Sequence, residues 1–409
     1  MNSTDSSMVA DVAEPPTYCG EGLQDFQLTY KQVHGYASLL VCVFGSVANT
    51  LNIAVLTRRE MISPTNAILT ALAVADLLVM LEYIPFACHQ YLPHKKNRKF
   101  QDRYSYGWTW FVLFHSNFAQ VCHTISIWLT VTLAVWRYIA IAHPQHNREW
   151  CRMQTTLVAI ACAYIISPLL CIPFYMAFTI QNGEVLVDSE GQIVQNKSYA
   201  NEPGYRNETY YIVNLSELGG AQDGLLFNIN FWMYSVVIKI IPCIALSILS
   251  LRLIAALLEA KKRRQNLTSK PALPSSSSNE GSKMLKKPNR QADKDRQTDR
   301  TTRMLLAVLL LFLITEFPQG ILGLLSGILG NSFFNNCYMK LGEVMDILAL
   351  INSAINFILY CAMSRQFRTT FSLMFKPKIL NRWLPVSHLN GNADNNGATT
   401  NNVTVVTQV

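Results

Sequence analysis

Seven long apolar stretches run along the chain: Gly35–Thr57, Thr65–His89, Trp108–Ala142, Gln154–Phe178, Leu226–Leu258, Met304–Leu329 and Leu341–Met363. Each, wound as a helix, is long enough to cross about 30 Å of hydrocarbon. The pattern predicts an all-α membrane protein, a seven-helix bundle over residues 35–363. Charged residues collect between the stretches. After the seventh, Ser364–Lys376 sets Phe367, Phe371, Leu373, Met374 and Phe375 among basic residues, which predicts a short amphipathic helix on the inner leaflet. Glu259–Arg303 holds a Lys-Lys-Arg-Arg run, Ser275–Ser278 and alternating charges; it predicts a disordered inner loop whose basic edges continue the flanking helices. Residues 1–34 and the Asn-rich 377–409 read as polar tails.

Composition agrees: 50% of residues are hydrophobic and 15% charged, against about a quarter charged in a soluble domain. Met1–Lys31 is acidic and lacks the apolar core of a cleavable signal, so the first span is expected to act as its own insertion signal. Placing the N-terminus outside puts 24 Lys and Arg on inner segments and nine on outer ones, the side the positive-inside rule favours. The net charge of +8 is thus read as membrane orientation, with no nucleic-acid partner. The cluster Lys95, Lys96, Arg98, Lys99 and Arg103 runs against the rule. Sequons at Asn2, Asn196, Asn207 and Asn214 fall outside under this topology and predict a glycoprotein of the plasma membrane. The acidic segment Thr179–Gly224 carries three of them and reads either as a glycosylated lid or as a passive loop. Cys19 and Cys337 are the cysteines clearly on outer segments; an oxidising exterior lets them pair or leaves two separate thiols.

A charge in mid-membrane costs roughly 2.5–3.5 kcal/mol on insertion scales, so each implies a partner or a task. The charges are Asp76, Glu82, Arg137, Lys239, Glu316 and Asp346, with Glu343 near an outer boundary. Asn49, Asp76, Ser126, Asn352 and Asn356 lie at comparable depth on four helices and suit a cation or a water cluster against Asp76. No nucleotide loop, zinc spacing or Ser/His/Asp set is present, which points away from an enzyme and towards a receptor or channel.

Asn49 in GSVANTLNIAVL, Asp76 in LAVADLL, Arg137-Tyr138 in AVWRYIAIAHP, Pro242, Phe312 and Pro318 in FLITEFP, and Asn356 and Tyr360 in NFILY resemble the rhodopsin-like G-protein-coupled receptors over residues 35–375. HTISIWLTVTLAVWRYIAIAHPQHNREWC, TEFPQG and CAMSRQFR look most like the insect myosuppressin and FMRFamide-type neuropeptide receptors. The resemblance implies a peptide bound at the outer face, outward movement of span six eased by Pro242 and Pro318, and Arg137 released towards a G protein of the Gi/Go class. Arrestin and receptor kinases follow as partners. It also implies sodium at Asp76, with a water network as the other reading. The sequence departs from the family at four places. Trp136 replaces the acid before Arg137, Glu316 the usual Trp, Phe357 the usual Pro, and Val112 the span-three Cys.

Ligands of the resembled group end in an amidated Arg-Phe. The guanidinium wants a carboxylate: Glu82 and Asp346 first, Glu343 third. Tyr83, Phe118, Phe231 or Phe317 is the candidate floor for the terminal ring, and His115, Gln120 or His123 the candidate for polar contacts. Lys239, just outward of Pro242, is expected either to pair with Glu316 or to be hydrated separately. Ala119 stands where amine receptors carry an acid, so an amine is disfavoured. Thr407-Gln408-Val409 matches a PDZ-binding terminus. A transporter would show paired halves with broken helices, and an opsin a Lys on span seven; neither is present.

Overall fold

A computed structural model describes residues 18–92, 103–189, 193–194, 204–220, 225–268 and 290–375. The sequons at Asn2 and Asn196, the Lys95–Lys99 cluster, Ser275–Ser278, Lys376 and the tail 377–409 with its Thr407–Val409 end lie outside the described residues.

Seven helices long and apolar enough to cross a membrane form the bundle: Glu21–Leu56, Pro64–Gln90, Tyr106–Ala142, Met153–Ala177, Asn228–Ala256, Leu310–Gly330 and Phe334–Ala362. Local signals set several starts. Pro64 opens span two, where it needs no N–H partner, and Ser63 Oγ accepts from Asn66 N at 3.2 Å. Ser105 does the same for span three, accepting from Trp108 N at 3.3 Å. Among the described residues the buried hydrophobics gather in clusters: one holds Met80 and Cys122, one Ile127, Leu246 and Phe312, and one Leu72, Leu129 and Phe367 of the amphipathic helix Arg365–Phe375.

Two segments depart from the sequence expectation. Span one starts at Glu21 rather than at residue 35, and its 36 residues are about 54 Å long. Its first turns are too polar to register as membrane span, yet Cys19 is joined to Cys337 by a disulfide, Lys31 Nζ lies 3.8 Å from Glu343, and Gln27 Nε2 donates to Glu343 at 3.4 Å. The segment read as a loop contains a β-hairpin. β1 (Phe178–Val187) and β2 (Arg206–Leu215) pair antiparallel from Phe178↔Leu215 to Val187↔Arg206. The helices flanking the expected inner loop continue into its basic edges, as the sequence suggested: one runs on to Thr268 and the next begins at Arg290. The end bearing β1 and β2 is called the hairpin face, the other the tail face.

With Val112 in place of a cysteine, the hairpin hangs on span three by other means. Tyr211 N donates to Tyr104 O at 3.0 Å and Thr109 Oγ1 to Tyr211 O at 2.9 Å, with Tyr106 edge-on to Tyr211 at 5.4 Å. Asn207 and Asn214 are exposed on β2.

Span five contains a π-helical stretch, Met233–Ile240, just before buried Pro242. Its wider turn puts Ser235 and Lys239 on one buried face. Span six meets that face with glycines. A Cβ on Gly320 would lie 3.1 Å from Lys239 Cβ, one on Gly323 would collide with Ser235 Oγ, and one on Gly327 would touch Phe231 Cβ at 3.4 Å. Gly323→Val is expected to force spans five and six apart at a cost of about 1–3 kcal/mol, read as a lower melting temperature in detergent; an unchanged melt would show that the contact is slack. Gly330, at φ 76°, turns the chain out of span six towards Cys337. The disulfide closes a sequence separation of 318 residues. Cys19→Ser and Cys337→Ser are each expected to cost about 2–4 kcal/mol, with the double variant no worse than either single; additive losses would indicate separate roles.

Candidate functional site

Glu316, at the centre of the bundle, is fully buried, as is Lys239. Lys239 Nζ donates to Glu316 Oε2 at 2.6 Å. His123 Nε2 contacts the same oxygen at 2.9 Å, so spans three, five and six meet on one atom. Glu316 Oε1 is buried with no hydrogen-bond partner among the described residues. Lys239 also lies 5.6 Å from the Tyr234 ring. Two opposite charges in a low dielectric hold each other far more strongly than at a surface, and removing one strands the other. The expected pair is present, and His123, assigned above to polar ligand contact, is instead its third member.

Below it, towards the tail face, Asp76 accepts from Ser126 Oγ at 2.9 Å and from Asn356 Nδ2 at 3.1 Å. The span-seven hydroxyl that joins them is Ser353. Asn352, expected in this set, is half-buried and is not a partner of Asp76 among the described residues. The error is one residue, or about 100° of helix. Asn49 ties span one to the same place by donating to Ser353 O at 3.0 Å.

The third cluster lies towards the hairpin face. His115 Nδ1 bonds Glu82 Oε1, and Glu82 Oε2 is buried with no hydrogen-bond partner among the described residues. Asp346 neighbours His115, Glu343 and the Tyr83 hydroxyl. Tyr83 is 4% exposed and bonds His34 Nε2 at 3.1 Å, so its hydroxyl supports the cluster rather than flooring it. Glu82 is therefore half engaged, and Glu343 is engaged by the N-terminal turns of span one.

The seven-helix architecture agrees with what the comparisons find. The family described as serpentine type 7TM GPCR chemoreceptor Srw matches residues 36–378. The chain belongs to the seven-transmembrane G-protein-coupled receptors. It is 31% identical over 369 residues to the G-protein coupled receptor dmsr-1 of Caenorhabditis elegans, covering 85% of this chain and 69% of that one. It is 26% identical over 364 residues to the sex peptide receptor of Drosophila melanogaster (85% and 73% covered). To the FMRFamide receptor of the same fly it is 25% identical over 361 residues, spanning 88% of this chain and 56% of that receptor. It is therefore a multi-pass membrane receptor rather than an enzyme.

In this receptor the remaining expected site residues fall as follows. Phe118 is half-buried and stacks on Phe114 at 5.2 Å. Phe231 meets Phe334 edge-on at 5.4 Å. Phe317 is 43% exposed on the outside of span six, because its neighbour Glu316 takes the inward position; it cannot floor an inner site. Gln120 donates to Thr124 at 3.4 Å, and Thr124 in turn meets Cys171 of span four. At the tail face Arg137 Nε is buried with no hydrogen-bond partner among the described residues, and Tyr360 is its electrostatic neighbour. Trp136 donates from Nε1 to Thr156 Oγ1 at 2.8 Å and ties span three to span four. Tyr138 packs edge-on to His143 at 5.8 Å. Phe312 is 2% exposed, in the cluster with Cys243 and Leu246 of span five. Pro318 is half-buried in span six.

Proposed function

We propose that this receptor is a rhodopsin-like receptor for a secreted neuropeptide ending in an amidated Arg-Phe, of the myosuppressin or FMRFamide type. Two relatives are named as peptide receptors, the sex peptide and FMRFamide receptors. The observation that carries the reading is Glu82: one carboxylate oxygen is held by His115, the other is buried with no hydrogen-bond partner among the described residues, and Asp346 is close enough to His115 to feel its charge. A guanidinium is the group that satisfies such an arrangement, because it presents several N–H donors in a fixed fork. Ligand binding shifts the bundle between two packings, with span six hinging near Pro318 and span five near Pro242, and Arg137 freed for the G protein. Coupling to Gi/Go, regulation by kinases and arrestin, a PDZ partner and a plasma-membrane location with the N-terminus outside belong to the same reading.

The test is a screen on cells expressing the chain, reading cAMP and calcium, with amidated Arg-Phe peptides, their free acids and biogenic amines. A nanomolar response confined to the amidated peptides supports the reading; a response to another group alone overturns the ligand assignment. Asp76 with Ser126 and Ser353 offers hard oxygen donors that suit sodium, and Asn356 joins them once its amide turns to present Oδ1. Raising sodium is expected to weaken agonist binding to this receptor and not to Asp76→Asn; equal sensitivity in both would leave the cluster as a water network.

A further inference from the structure

On the tail face, the turn Arg59–Met61 and the amphipathic helix Arg365–Phe375 enclose a groove of about 440 Å³, lined by Glu60, Arg365, Gln366, Thr369, Thr370 and Leu373. Gln366 Nε2 donates to the Glu60 carbonyl at 2.9 Å and pins the helix to the turn. Glu60 and Arg365 are exposed and line the same groove. Among the described residues, however, the Glu60 carboxylate and the Arg365 guanidinium have no ion-pair partner, not even each other. Opposite charges free to meet in one small space normally do so. Here they do not, and Thr369 and Thr370 line the same groove. Arg59, exposed next to Glu60, adds a second positive charge.

The surroundings say what reaches this groove. Phe367 is 1% exposed under the bundle, while Leu373 at 76% and Phe375 at 46% point outward. A helix with one apolar side docked and another exposed beside basic residues lies at headgroup depth in a bilayer. We propose that the groove holds the headgroup of an anionic aminophospholipid, phosphatidylserine. Its ammonium lies on Glu60, its phosphate and carboxylate face Arg365 and Arg59, the threonine hydroxyls donate to phosphate oxygens, and an acyl chain follows Leu373. Each rival lipid leaves one of these groups without a partner. A choline head has no N–H for Glu60, a glycerol head has no cation, and an ethanolamine head has no second anion for Arg59. Anionic serine lipids are also the leaflet component that juxtamembrane Lys and Arg attract.

The test uses the full chain in nanodiscs of phosphatidylcholine carrying equal phosphatidylserine and phosphatidylglycerol, with retained lipid read by native mass spectrometry. Phosphatidylserine is expected to exceed phosphatidylglycerol by about threefold or more, and an N-acetylated phosphatidylserine to fall to the phosphatidylglycerol level. Glu60→Gln should abolish the serine preference while leaving phosphatidylglycerol unchanged, and Arg365→Gln should lower both anionic lipids. Equal retention of the two lipids by the unaltered receptor, or an unchanged preference in Glu60→Gln, overturns the proposal. The N-acetyl arm needs no variant, so the outcome stands even where a substitution disturbs folding.

Discussion

Lys239→Met is expected to be among the most damaging single substitutions in this receptor. It leaves the Glu316 carboxylate at zero exposure with only His123 for company, and breaking one side of a buried ion pair typically costs about 3–5 kcal/mol. The loss should appear as a lower melting temperature in detergent and a smaller surface-expressed fraction. Glu316→Gln should do similar harm from the other side, because it buries an unpaired ammonium. The informative comparison is the combined Lys239→Met, Glu316→Leu receptor. With no charge left to strand, it should recover most of the stability, since well-packed apolar replacements of buried pairs are often neutral. Its basal signalling should differ from the parent, because the link between spans three, five and six is gone. If either single variant folds and signals like the parent, the pair does not hold the bundle.

Glu82→Gln and Asp346→Asn are expected to lower agonist potency by roughly 30-fold or more each, corresponding to about 2–5 kcal/mol for one partner of a buried, hydrogen-bonded charge pair. Arg-to-citrulline substitution in the peptide should cause a like loss on the parent receptor and little further loss on the two variants, the signature of a shared interaction in a double-mutant cycle. Phe317→Ala, on the outside of span six, should leave potency unchanged and serves as the control. Additive losses for citrulline and Glu82→Gln would place the guanidinium elsewhere.

The seven spans were legible because apolar runs of membrane length leave few alternatives. The Lys239–Glu316 pair was legible for a related reason: two opposite charges in the same hydrocarbon have little else to meet. What was missed follows from the limits of a linear reading. The first turns of span one are polar, so hydropathy cannot mark them; their helix is held by Cys337 and Glu343, far away in sequence. β1 and β2 pair across a long connection in sequence, and the Tyr-Tyr-Ile-Val run in β2 was the available strand signal. His115 and His123 stand about two turns apart on span three, and each faces a carboxylate. That spacing, matched against Glu82 and Glu316, was the available signal for both pairings. Ser353 was displaced by its neighbour Asn352 because depth can be counted along a sequence more securely than rotation.

The π-helical stretch of span five bears on how inward-facing positions along that span are counted. Each residue turns an α-helix by about 100°, so one surplus residue between Met233 and Ile240 rotates everything on its hairpin side by that amount relative to a straight helix. Counting back from Pro242 at about 3.6 residues per turn therefore lands on the wrong flank. Deleting one residue from the stretch would be less a shortening than a change of phase, swinging Phe231 and its neighbours to a new side while the tail-side half of span five stayed in place.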